Sequence, residues 1–191
     1  INDSLNIKSN TTLKFQNCHI TNESSTNKKY IFNIENVNNI NIEGINTIIE
    51  FNKPSTDQQA CIHINDSKNI NIKGFEIKKA GGDGILINGN TEKQTENINI
   101  SDNIIDNNRR NGISVIGGVF NLIIDNCKII NTSGINPQYA IDLEPWQDGI
   151  YNDTITIKNC YFNNNVSAID ILAQNKNIII ENNTFDTDGI N

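Results

Sequence analysis

The sequence predicts an all-β fold: a single-stranded parallel β-helix solenoid of about seven coils, three short strands to a coil, in one domain over residues 1–191. Three observations predict it. Asn and Ile, at 38 residues each, make up about two residues in five. One motif of the form I-x-I-x-N-x-x-I returns along the whole chain. Its central position holds only Asn, Asp or Gly, the residues that accept a left-handed backbone most cheaply.

In chain order the motif reads LKFQNCHI ending at Ile20, INIEGINT ending at Thr47, INIKGFEI ending at Ile77 and INISDNII ending at Ile105. It continues as LIIDNCKI ending at Ile129, ITIKNCYF ending at Phe162 and IIIENNTF ending at Phe185. The corner residues are Asn17, Gly44, Gly74, Asp102, Asn126, Asn159 and Asn182. The second apolar position, Phe15, Ile42, Ile72, Ile100, Ile124, Ile157 and Ile180, predicts a column of core side chains. After the corner come Cys18, Ile45, Phe75, Asn103, Cys127, Cys160 and Asn183, an expected inward stack of small or apolar groups with some Asn.

A third strand follows in most units: Phe32–Ile34, Ile62–Ile64, Ile85–Ile87, Ile113–Val115, Ile141–Leu143 and Ile169–Ile171. Side chains alternate between the faces of a strand, so the flanking residues turn inward and the middle residue outward. The stacked coils should then present an outward column of Asn33, His63, Leu86, Ser114, Asp142 and Asp170. Each unit takes roughly 23 to 33 residues, a solenoid period; no coil buries its apolar residues alone, and stacking makes the core continuous.

Composition excludes several classes. Met is absent and Ala is scarce, which disfavours long helices. Regular Ile spacing disfavours disorder despite the Asn content. The net charge is −7, with no basic face for nucleic acid. No apolar run of about 20 residues is present for membrane insertion. Cys18, Cys61, Cys127 and Cys160 lack a CxxC spacing, and three of them share one repeat position. They read as buried free thiols.

Insertions fall between strands, at Thr21–Lys29, Asn52–Gln59, Asn88–Glu96, Asn131–Tyr139 and Pro145–Asp153. All flank the third strand, where loops can wall a groove. The chemistry concentrates between Arg109 and Trp146. Asp142 and Glu144 share the outer strand face, about 6.7 Å apart at Cα, and Asp170 follows on the next coil at about 4.8 Å. Three carboxyls that close cannot all ionise freely; one pKa should rise, as a general acid requires. Asp142, Glu144 and Asp170 are thus the candidate catalytic residues, with spacing that leaves retention and inversion both open.

Arg109 or Arg110 could orient a carboxylate or hold an acidic sugar. Trp146 and Tyr139 could stack on a sugar ring. Ser114 and His63, from the same outward column, complete the candidate substrate-binding set. Plainer alternatives stand beside these: solvated acids neutralised by the arginines, a Trp146 covering its own loop, a His63 merely on the surface. A Ca²⁺ site built from the same oxygens is another; otherwise no cofactor is expected.

The repeat and its asparagine corner resemble the right-handed parallel β-helix, or pectin-lyase-like, superfamily over nearly the whole chain. The segment NGISVIGG…NTSGINPQYAIDLEP resembles more particularly the bacterial and phage tailspike-like members that act on polysaccharides. Departures narrow the range. Polygalacturonases of the superfamily carry NTD and DD motifs; here NTS stands at Asn131–Ser133. Its epimerases carry D-P-H, where this chain has Asp142-Leu143-Glu144-Pro145.

The resemblance implies an extracellular protein, secreted, on a cell surface or in a virion tail, that binds a polysaccharide or cell-surface glycan and cleaves it as a glycoside hydrolase or polysaccharide lyase. The alternative is a non-catalytic structural or adhesive module of a phage tail or cell surface, with a homotrimer or other virion proteins as partners. Both ends look open, Leu5 and Ile7 closing a preceding coil and Gly189-Ile190 opening another, as expected for a slice of a longer chain.

Overall fold

A computed structural model describes residues 4–22, 30–51 and 59–189. The parts of the expected loops at 23–29 and 52–58, and Ile190, lie outside the described residues. Every regular element among the described residues is a β-strand. Every strand pairing is parallel. No helix long and apolar enough to cross a membrane occurs among these residues.

The strands form two sheets. The seven-stranded one runs Leu5–Asn6, Tyr30–Glu35, Ala60–Asn65, Ile85–Asn88, Ile113–Val115, Tyr139–Leu143 and Ser167–Ile171, in space as in sequence. The twelve-stranded one takes the rest. Each strand pairs with its counterpart one coil away, so the chain winds as a parallel β-solenoid. It makes about five turns rather than the expected seven coils. The N-terminal edge is the two-residue strand Leu5–Asn6, and no described strand of the seven-stranded sheet follows Thr184–Asp186.

Isoleucine fills the bore. Ile42, Ile72, Ile100, Ile124 and Ile157 stack from one sheet and Ile62, Ile85, Ile113, Ile141 and Ile169 from the other, all fully buried. Burying each such side chain contributes about 1.5–3 kcal/mol. Cys61, Cys127 and Cys160 are buried free thiols, whereas Cys18 is only half-buried.

Left-handed corners recur at Asn17, Gly74, Asp102, Asn126, Asn159 and Asn182, as the motif predicts. The second copy departs from it. Its left-handed residue is Asn46, not Gly44, and the register with the next coil shifts between Glu43 and Thr47. Thr47 takes the buried place, and Ile45 is 48% exposed. The first coil carries the same two extra residues: Leu13, not Phe15, pairs with Ile42, and Phe15 pairs with Gly44. Ring packing explains the extra width. Phe15 stacks on Phe32 at 5.6 Å and meets Phe75 edge-on at 6.2 Å. A Cβ at Gly44 would sit 2.6 Å from the Phe75 ring, so only glycine fits.

A second left-handed column runs Asn10, Asn39, Asn69, Asn97, Asn121, Thr154 and Asn177. Its amides form a ladder: Asn39 donates to Asn10 at 2.9 Å, Asn69 to Asn39 at 3.0 Å, Asn97 to Asn69 at 3.0 Å and Asn121 to Asn97 at 2.8 Å. Asparagine therefore does two jobs here. It tolerates the corner backbone and ties each coil to the next.

Candidate active site

Register places the expected column in one line: Asn33, His63, Leu86, Ser114, Asp142 and Asp170 are successive partners across the seven-stranded sheet. Four of the six are buried, contrary to the expectation of an open outward face, while Asn33 and Leu86 are partly exposed. Ser114 is fully buried, Asp142 is 1% exposed, His63 6% and Asp170 7%. Strand alternation fixes which face a residue occupies; it does not reveal what lies over that face.

Two backbone segments on neighbouring coils border the acids. Residues 80–84 and 109–112 run side by side through Arg109 N to Ala80 O at 3.1 Å, Arg110 N to Gly82 O at 2.9 Å and Gly84 N to Asn111 O at 3.0 Å. The approach is close enough to require glycine. A Cβ at Gly84 would lie 2.7 Å from Gly112 O, and one at Gly112 would lie 2.6 Å from Ala140 O. The Asp83-Gly84 and Asn111-Gly112 pairs are therefore equivalent turns, one coil apart.

Those turns deliver two residues that sequence reasoning did not single out. Asp83 is buried, accepts from Arg110 Nη1 at 3.3 and 3.5 Å, and accepts from the Asn111 backbone N–H at 3.1 Å. Asn111 is fully buried; its Nδ2 donates to Ser114 Oγ at 3.0 Å and to Asp142 Oδ2 at 2.8 Å. Its Oδ1 accepts from Tyr139 N at 3.0 Å. The sequence signal was present: a Gly preceded by a polar residue recurs at the same place before two successive third strands. It reads as turn chemistry until the coils are aligned.

The two arginines part company. Arg110 lies between Asp83 and Glu144, with Nη2 at 3.8 Å from Glu144 Oε2. Arg109 donates to the carbonyl of Gly81 at 3.2 Å and carries Gly134 against its side chain. Only Arg110 joins the acids. His63 stands three register steps from Asp142, stacked on Tyr30 at 4.0 Å, with ring nitrogens 2.8 and 3.0 Å from the side-chain oxygens of Asn33 and Asn88. It is partnered, not a free surface group, and is remote from the carboxyl cluster. Trp146 is 60% exposed.

Electrostatics single out Asp142. Burial pushes its carboxyl up to about 7; Glu144 pushes the same way, Arg110 opposes, and Asp170 and Asp83 add to the rise. Its Oδ1 is buried and has no hydrogen-bond partner. Burial also raises Asp170 and raises Asp83, the latter opposed by Arg110 and by hydrogen bonds from Ser114 and Asn111. The Tyr139 phenol is raised by burial and by Asp170, Asp142 and Glu144, which places its hydroxyl in the field of all three acids. Among the described residues no three His, Cys, Asp or Glu groups are placed together to hold a metal ion.

Fold and site together define an all-β, parallel β-helix protein with an acidic cluster on its seven-stranded sheet. The chain belongs to the right-handed β-helix region family, whose model matches residues 46–191. No curated protein matches it in sequence. Among solved structures it resembles a protein of Parabacteroides merdae described as a candidate glycosyl hydrolase, at 15% identity and a TM-score of 0.57, over 81% of this chain and 77% of that one. At that identity the likeness concerns the fold.

Proposed function

We propose that the protein binds a polysaccharide along its seven-stranded sheet and hydrolyses it at Asp142. The observation that carries this reading is the Asp142 carboxyl: buried, held by Asn111 at one oxygen, unpartnered at the other, and raised to about 7. A general acid works best with a pKa near the operating pH. Asp142 protonates the glycosidic oxygen. Glu144, beside Arg110, supplies the carboxylate that attacks the anomeric carbon or activates the attacking water. Asp170 keeps a third carboxyl against Asp142 and so favours its protonated form. Tyr139 and exposed Trp146 flank the strand and offer rings for sugar stacking.

Asp142 is 1% exposed, so its contact with a glycan requires a neighbouring side chain to move aside. The family and the P. merdae likeness are compatible with a carbohydrate-active role.

The test is incubation with a panel of host glycans, reading reducing ends and unsaturated products separately. Reducing ends formed by the protein and not by an Asp142→Asn variant of unchanged fold support the reading. Glycan binding without turnover favours the second reading, a stiff adhesive module, which the inter-coil asparagine ladder supports.

A further inference from the structure

We propose that Asn111 is a positioning residue that fixes where Asp142 carries its proton: its amide occupies Oδ2, so the proton of the neutral acid resides on Oδ1. The orientation of the Asn111 amide is not free. Tyr139 N is a donor only, so the atom facing it at 3.0 Å must be the Asn111 oxygen. Both amide hydrogens then point the other way, one to Ser114 Oγ at 3.0 Å and one to Asp142 Oδ2 at 2.8 Å. An oxygen that faces an N–H cannot carry the acid proton toward it. The remaining site is Oδ1, which is buried and unpartnered.

The clamp is itself clamped. The Asn111 backbone N–H donates to Asp83 Oδ1 at 3.1 Å, and Arg110 holds the same carboxylate at 3.3 and 3.5 Å. Ser114, which accepts from Asn111, is free to turn its own proton toward Asp83, and a Ser114 hydrogen bond lowers the Asp83 pKa. A hydrogen-bonded network therefore links the Asp83–Arg110 pair, Ser114 and Asp142, with Asn111 at its centre donating both to Ser114 and to Asp142. The charged and titratable groups facing Asp142 are Glu144 and Tyr139 on its own strand and its continuation, Asp170 on the next coil, and Arg110 and Asp83 from the bordering segments. None of these contacts Oδ2 in place of Asn111. As a role in catalysis the inference rests on the hydrolase reading; as a statement about the Asp142 proton it does not.

The experiment uses the intact protein and no substrate. Carbon-13 NMR follows the Asp142 carboxyl through pH, and proton–nitrogen spectra follow the Asn111 side-chain amide. In the wild type, one Asn111 amide proton should shift with the midpoint of Asp142. An amide that ignores that titration overturns the proposal without any substitution. In Asn111→Ala, loss of a donor to the charged form should raise the Asp142 midpoint by about one pH unit. A folded variant with an unmoved midpoint also overturns it, because a merely structural residue would lower the melting temperature and leave the titration in place. If glycan turnover is then found, its basic limb should move with the same variant. Absence of turnover would sink the hydrolase reading and leave the amide coupling standing.

Discussion

Asp142 and Asp170 face each other across neighbouring coils, yet they are not equivalent acids. Asp142 carries a clamping amide on one oxygen and sits between Glu144, Arg110 and Asp83, while burial is the one cause that raises Asp170. The same position one coil earlier holds Ser114 rather than an acid. The asymmetry comes from the turns at Asp83 and Asn111, which serve the Asp142 coil alone.

Activity should depend on pH through the Asp142 proton. A general acid must be protonated to act, so kcat/KM should fall about tenfold per unit as pH rises beyond about 7. Asp142→Asn should lower kcat by about 100- to 10,000-fold. A reducing-end assay across pH checks both, and a flat profile through pH 7 to 9 would remove Asp142 from that role.

Stability should carry the same signature with a definite sign. The folded pKa of Asp142 lies above the ordinary carboxyl value near 3.9, so the native state binds the proton more tightly. The resulting stabilisation is fully present below about pH 4 and is lost as pH rises to about 7. Asp142→Asn should therefore gain on the wild type over that window, by up to about 4 kcal/mol. Urea melts at pH 4 and pH 8 measure the difference, and equal gaps at the two values would contradict it.

Arg110 and Arg109 should differ sharply when truncated. Arg110→Ala leaves the buried Asp83 charge uncompensated and should cost about 3–5 kcal/mol. Arg109→Ala removes one hydrogen bond to Gly81 and should cost about 1 kcal/mol. Thermal melts of the two variants rank them.

Thr154 is the one β-branched residue in a left-handed column otherwise made of Asn, at φ 58°. Thr154→Asn should relieve that strain and extend the amide ladder, raising stability by about 1 kcal/mol. A lowered melting temperature would show that the Thr154 contact to Asp153 at 3.1 Å matters more than the backbone.

Trp146→Ala should leave stability within about 0.5 kcal/mol, because the indole is exposed. Glycan affinity should fall about five- to tenfold if the ring stacks on sugar. Titration calorimetry with a bound glycan separates the two effects.

Local chemistry made the solenoid legible in the sequence. Ile at alternate positions can bury only against like strands, and Asn, Asp or Gly at a fixed place can mean only a recurring left-handed corner. Register across the third strand followed, because each coil repeats the same strand and turn; Asp142 and Asp170 were aligned correctly on that ground. The first two coils escaped, since the extra residues around Phe15 and Gly44 keep the motif while moving the corner to Asn46. The shift accompanies ring packing among Phe15, Phe32 and Phe75, contacts that the motif does not show.

The site divides along the same line. By itself the sequence determined which acids share a face, because alternation along a strand is a property of the backbone. Tertiary structure alone decided that Asp142 and Asp170 are buried on that face, that Arg110 and not Arg109 reaches the acids, and that Asp83 and Asn111 belong with them. Those facts depend on contacts between residues about 28 positions apart, one full coil, whose side-chain directions no local pattern encodes.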